Sequence, residues 1–231
     1  MLLDQTIAGR RCTLWVPEGT GPFALSLCCC GSASELLPQL GALSPNRLFV
    51  SPEADWEIDF TPWPAPTLQG GRPFANGSVL GGAPAFLRWV EGELLPALAA
   101  RFALDPAQNS VLGYSLGGLF ALWAVCQSEA FSQCACLSGS LWYPGWVNFL
   151  KEHAPEPPKR VYLSLGKKEE KSGPAVMRAV GDATRQSAGL LARSLGCENT
   201  VLEWNPGGHF APALPRWEKA LAWLDFPPNN R

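Results

Sequence analysis

The chain has 231 residues, a formal net charge of −2 and 47% hydrophobic residues. That length suits one α/β domain with a large core, and a near-neutral charge with no Lys/Arg run longer than a pair lacks the electrostatic footprint of a nucleic-acid binder. The opening stretch "MLLDQTIAGRRCTLWVP" has no basic segment followed by an apolar one, and no segment approaches the ~20 apolar residues of a membrane span, so a soluble, cytoplasmic protein without a membrane partner is expected.

Along the chain, short apolar runs alternate with longer helical stretches, the order of a mostly parallel sheet covered on both faces. Strands are predicted at 11–16 and 23–30. The second ends in Cys28, Cys29 and Cys30, whose side chains must alternate between faces, so these read as small core residues and the eight cysteines as structural thiols rather than a disulfide framework. With only "CAC" at Cys134 and Cys136 and two histidines in the chain, no metal site and no cofactor are expected. A strand at 48–51 precedes residues 53–82, which carry no period and many turn formers and read as a long ordered loop of the kind that carries function. In "PAFLRWVEGELLPALAARF", Phe86, Leu87, Val90, Leu94 and Leu98 recur at helical spacing, and Pro96 should kink the helix. A strand at 110–113 leads into 116–126, apolar all round and therefore a helix buried on every side. Strands at 135–138, 161–165 and 200–204 complete the set. No repeat or linker interrupts it, so a single domain over 1–231 is expected.

In "GYSLG", residues 113–117, the pattern G-x-S-x-G follows a short strand and precedes a helix, the context of a nucleophile elbow. Ser115 would then occupy a sharp, strained turn with its hydroxyl exposed. Gly113 and Gly117 would be small because backbone passes close on both sides. The structural alternative is a serine that merely caps the helix. Ser138 and Ser140, in "CLSGSLW", are followed by no all-apolar helix and read as pocket or turn residues. A serine hydroxyl needs a base, and histidine is the usual one. His153 lies in the proline-rich, charged "KEHAPEPP" and reads as a solvated residue. His209, in "EWNPGGHFAP", follows the last strand through a glycine loop and fits the chain order Ser, acid, His.

Taken together, "DFTPW", "FLRWVEGELLPAL", "GYSLGGLFALWA", "LSGSLWY", "LSLGKKEE" and "GGHF", in this order from Asp59 to Phe210, resemble the putative-esterase group of α/β-hydrolases, which includes esterase D and the enterochelin-type siderophore esterases. The chain departs from that pattern at Tyr114, where many relatives carry histidine, and in "CCCGSAS", which lacks a family-typical aspartate. The resemblance implies an α/β-hydrolase three-layer sandwich and hydrolysis of a small-molecule ester through an acyl-enzyme, with Ser115 as nucleophile and His209 as base. The oxyanion hole would be the backbone N–H of Leu116 and one from the loop after strand 23–30, near Gly31 or Ser32. The acid would follow strand 161–165. Glu169, three residues past Gly166, suits a short turn there. Glu170 and Asp182 compete with it, "KKEEK" also reads as a plain solvated turn, and a Ser/His pair acting alone is a further alternative.

Trp56, Trp63, Trp142 and Trp146 all fall after predicted strands or in the long loop. Each either lines an aromatic substrate pocket, as Trp56, Trp142 and Tyr114 are expected to do, or packs a loop onto the core. A siderophore-type lactone or aryl ester is the expected substrate class. The same serine and histidine would also serve an acyltransferase or thioesterase. A non-catalytic binding module is disfavoured by the intact serine, histidine and elbow glycines. The oligomeric state stays open.

Overall fold

The computed structural model describes residues 1–65, 81–173 and 175–226. Eight strands form one sheet: β1 (Leu2–Ile7), β2 (Arg10–Trp15), β3 (Ala24–Cys29), β4 (Arg47–Pro52), β5 (Ser110–Tyr114), β6 (Gln133–Leu137), β7 (Arg160–Gly166) and β8 (Thr200–Asn205). Their spatial order is β1-β2-β4-β3-β5-β6-β7-β8. β1 and β2 are antiparallel to each other, and β2 is antiparallel to β4. From β4 to β8 every neighbouring pair is parallel.

Helices α1 (Ala33–Leu43), α2 (Ala83–Trp89), α3 (Leu95–Ala99), α4 (Leu116–Gln127), α5 (Trp146–Glu152), α6 (Ala175–Arg178), α7 (Val180–Leu195) and α8 (Leu214–Asp225) accompany the sheet. Leu37 and Leu40 of α1 and Trp217, Leu221 and Leu224 of α8 share one buried cluster with Cys28, Phe49, Leu112 and Tyr162. The other face of the same strands, with Cys29, Val50, Val111 and Leu163, packs against residues of α2, α4, α5 and α7. Parallel strands covered on both faces bury successive side chains alike, which is why these segments read as unbroken apolar runs. α4 is the extreme case, with Leu116 through Val125 all buried. The fold is thus an α/β sheet with helical layers on both sides.

Three details differ from or refine the sequence expectation. β1 has no counterpart in it. The strand is joined to β2 by the two residues Ala8 and Gly9, both at positive φ (43° and 83°), the geometry of a type I′ hairpin turn. Pro96 does not kink a helix in the usual way. Residues 90–94 form one π turn in which the N–H of Leu95 bonds the carbonyl of Val90, and Pro96, with no N–H to give, falls in the first turn of α3. Of the long loop at 53–82, residues 66–80 lie outside the described residues. The described part is anchored by buried Asp59, which accepts from Arg10 Nη1 (2.7 Å) and from the N–H of Asp55 (3.0 Å).

No disulfide forms. All eight cysteines are free, Cys197 on the surface, and burial pushes the thiols of Cys12 and Cys30 up to about 11 and that of Cys126 up to about 12, so these three remain protonated packing groups. Among the described residues no helix is long and apolar enough to cross a membrane.

Candidate active site

β5 ends at Tyr114 and α4 begins at Leu116, leaving Ser115 to make the whole turn at φ 58°, ψ −120°. L-residues rarely adopt that conformation, and it persists only where surrounding structure enforces it. The enforcement is visible. A Cβ on Gly113 would lie 2.0 Å from the carbonyl oxygen of Gly117, and one on Gly117 would lie 2.3 Å from that of Cys29 at the end of β3. The N–H of Ser115 donates to the carbonyl of Leu137 at the end of β6 (3.1 Å), while its own carbonyl accepts from Ser140 N (2.9 Å) and Leu119 N (3.1 Å). The N–H of Leu116, in the first turn of α4, has no acceptor inside the helix and carries the positive end of its dipole.

Because β5, β6, β7 and β8 are parallel neighbours, the loops that leave their carboxyl ends emerge side by side along one edge of the sheet. Ser115 follows β5, Ser138 follows β6, Glu169 follows β7 and His209 follows β8. His209 Nε2 stands 3.1 Å from Ser115 Oγ, and its Nδ1 stands 2.8 Å from Glu169 Oε2. The tautomer with its proton on Nδ1 satisfies both contacts: it donates to the carboxylate and leaves Nε2 to accept from the serine hydroxyl. Ser140 Oγ is a further 3.4 Å neighbour of Ser115 Oγ.

Glu169 is 4% exposed at its side chain. Its Oε1 accepts from the N–H of Gly166 (2.7 Å), from Ser138 Oγ (2.8 Å) and from Arg216 Nη1 (2.8 Å). Burial acts to raise its pKa, but the hydrogen bonds from His209, Gly166 and Ser138 and the proximity of His209 outweigh it, and the carboxyl sits below the ordinary glutamate range. It is therefore ionised near neutral pH. The two competing acids are elsewhere. Glu170 pairs with Arg185 Nη2 (2.7 Å) and Asp182 with Arg185 Nη1 (3.0 Å), whereas the carboxylate at His209 Nδ1 is that of Glu169. His153 is exposed at the end of α5, stacked on Phe149.

Arg216 went unnoticed in the sequence. It belongs to α8 and is 2% exposed at its side chain. Besides Glu169 it donates from Nη1 to Tyr114 Oη (2.9 Å) and to Ser138 Oγ, and from Nη2 to the carbonyl of Gly208 (2.7 Å). Tyr114 Oη in turn donates to the carbonyl of His209 (2.5 Å). Tyr114 is thus a support behind the histidine loop rather than a pocket wall. The signal for Arg216 was present in the helix phase: Arg216, Ala220 and Leu224 recur at the spacing of one inward face, where an arginine has no place without an acidic partner.

A cavity of about 820 Å³ opens over the serine and histidine, with Trp142, Met177, Val180 and Phe210 on its walls and Lys168 at its rim. Phe210, next to His209, is 99% exposed. Trp142 is thus brought to the site. Ser32 and Trp56 are not. Both line a separate cavity of about 440 Å³, because the chain turns into α1 at Ser32 and the ring of Trp56 packs edge-on against Phe60. Trp63 and Trp146 are packing residues: the indole of Trp63 donates to the carbonyl of Pro144 and that of buried Trp146 to Ser187 Oγ.

Comparison with known proteins agrees with this architecture. A family model described as "Putative esterase" matches residues 42–222. An uncharacterized protein, YbbA, of Bacillus subtilis is 24% identical over 188 residues, which cover 78% of this chain and 74% of that protein. Among solved structures, an IroE-like serine hydrolase of Shewanella oneidensis superposes with a TM-score of 0.79 at 20% identity, over 96% of this chain and 79% of that one. The siderophore hydrolase EstA of Aspergillus nidulans superposes with a TM-score of 0.71 at 17% identity, over 96% and 93% of the two chains.

Proposed function

The chain belongs to the putative esterase family, and from that premise we propose that it is a serine carboxylesterase in which Ser115, His209 and Glu169 form the catalytic relay. The observation that carries this reading is the continuous path from Glu169 Oε2 through both ring nitrogens of His209 to Ser115 Oγ, at 2.8 Å and 3.1 Å. Ser115 Oγ attacks the acyl carbon as its proton passes to His209 Nε2. The carbonyl oxygen becomes an oxyanion held by the N–H of Leu116, in the first turn of α4. Collapse expels the alcohol, which takes the proton from Nε2 and leaves an ester on Ser115. Water then attacks that ester, giving its proton to His209, and the acid leaves as the proton returns to Ser115 Oγ. Glu169 stays ionised throughout, holding the Nδ1–H and stabilising the imidazolium that forms twice per turnover.

The substrate in this reading is an ester or lactone with a sizeable, largely apolar acyl part, of the aryl or siderophore type. Two observations support it: the volume and apolar walls of the cavity, and the siderophore hydrolase among the structural neighbours. Treatment with a fluorophosphonate followed by peptide mass spectrometry tests the nucleophile, and a panel of short acyl esters, aryl esters and macrolactones tests the substrate class. Modification confined to Ser115, with aryl or macrolactone esters turned over fastest, is expected. Hydrolysis that persists while Ser115 stays unmodified contradicts the mechanism.

A further inference from the structure

We propose that Arg216 and Tyr114 are positioning residues, a polar clamp that fixes the acid and the histidine loop in one geometry. The inference rests on the esterase reading above and concerns how its relay is held. The two loops that must meet come from different strands. Near the sheet they are joined by backbone bonds, Lys167 N to Asn205 O (2.9 Å) and Lys168 N to Gly207 O (3.0 Å). Beyond that point the β8 loop runs through Gly207, at φ 84°, and Gly208 before His209, and regular structure resumes only at Leu214. Within the loop itself one backbone bond spans the histidine, Ala211 N to Gly208 O at 3.2 Å.

The clamp adds side-chain bonds to that one. Two successive carbonyls, those of Gly208 and His209, are each held: the first by Arg216 Nη2 at 2.7 Å, the second by Tyr114 Oη at 2.5 Å. Arginine has no acceptor, so the direction of every bond is set. Nη1 donates to Tyr114 Oη, whose own proton is thereby turned toward the His209 carbonyl, and Nη1 also reaches Glu169 Oε1 at 2.8 Å. One planar group therefore touches the acid directly, the histidine loop directly at Gly208 and, through Tyr114, the same loop at His209, which an ammonium on a flexible stem does not reproduce. Burial of the phenol raises the pKa of Tyr114 above its ordinary value, so it remains a donor. The guanidinium bonds Oε1 of Glu169, whereas His209 meets Oε2, and it does not line the cavity, so its action is indirect.

The test is steady-state hydrolysis of p-nitrophenyl acetate by the wild-type chain, Tyr114→Phe, Arg216→Lys and Arg216→Ala, with kcat and KM determined separately, thermal melting recorded, and fluorophosphonate labelling of Ser115 followed in parallel. Misplacement of a catalytic group by about an ångström can lower turnover on the order of 100-fold. Arg216→Ala should show a kcat loss of that order with KM within about twofold, and added ethylguanidinium should restore part of it. Arg216→Lys should fall between it and wild type. Tyr114→Phe, which removes one oxygen, should lower kcat several-fold at unchanged KM and stays decisive if Arg216→Ala does not fold. A wild-type chain that neither hydrolyses the ester nor labels at Ser115 removes the esterase reading itself. An active, labelled wild type with Tyr114→Phe at full kcat, or with losses confined to KM, overturns the clamp alone.

Discussion

Which carboxylate serves His209 is decided by three residues that the sequence places close together. Glu169, Glu170 and Asp182 all follow the same strand, and "KKEEK" has the composition of a solvated turn. The structure separates them: Glu169 turns inward to Gly166, Ser138, Arg216 and His209, while the other two share Arg185 on the outside. Glu169→Gln should therefore lower kcat by roughly three to four orders of magnitude with KM little changed, as loss of a triad acid does. Glu170→Gln and Asp182→Asn should stay within about threefold of wild type, the range of a surface change. Equal effects of the three in kcat assays would break the assignment. The serine and the histidine were legible because each stands in a short pattern with a physical cause, the glycine-framed turn and the glycine loop after the last strand. Ser138 and Ser140 were legible only as pocket or turn residues, and both do line the cavity, while Arg216 showed only as a charge on the inward face of a helix. Which groups they would bond depends on which strand ends and helices are neighbours, and no local pattern encodes that.

At the scale of elements, most strands were readable because burial on both faces makes them apolar throughout, and α4 because it is apolar all round. β1 escaped for the opposite reason: from Leu2 to Ile7 its residues alternate between exposed and half-buried until the last, and its turn uses Ala8 where asparagine or aspartate would have announced a hairpin. Ala8 at φ 43° is in the left-handed region that asparagine tolerates better. Ala8→Asn should stabilise the protein by on the order of 0.5–1 kcal/mol, a melting-temperature rise of ~1–4 °C by calorimetry for a chain of this size. A fall in melting temperature would show that the turn is not as described. Helix α8 makes the converse point. It brings a charge into the interior, and Arg216→Met, by leaving Glu169 buried with one cation fewer, should cost about 3–5 kcal/mol in urea unfolding, whereas a loss under ~1 kcal/mol would mean the pair is not buried as a unit.

Across the whole molecule, the candidate site follows from one topological fact: four parallel strands deliver their loops to a single edge, and the antiparallel pair β1 and β2 extends the sheet away from it. The same fact limits what sequence reading could reach. Ser32 and Trp56 follow strands that also end on this edge, yet they line a second cavity on the β3 and β4 side, a distinction that depends on where α1 and Phe60 turn the chain. Burial of the relay also ties stability to pH. The carboxyl of Glu169 is held below its ordinary value in the folded state, so its contribution is complete above an unfolded-state pKa of ~4.3 and is lost as pH falls through the lower folded value. The stability gap between wild type and Glu169→Gln in urea unfolding should accordingly be wide at pH 7 and narrow as the pH drops below 4. A gap independent of pH would contradict an ionised, buried Glu169. The central claim, that this edge carries a serine esterase, is tested most directly by turnover of p-nitrophenyl acetate by Ser115→Ala. With its near-ultraviolet circular dichroism unchanged from wild type, the variant should keep less than about 0.1% of the wild-type kcat, the residue left when a triad nucleophile is removed. Retention of more than a few per cent by a folded Ser115→Ala chain would show that the reaction does not pass through this serine.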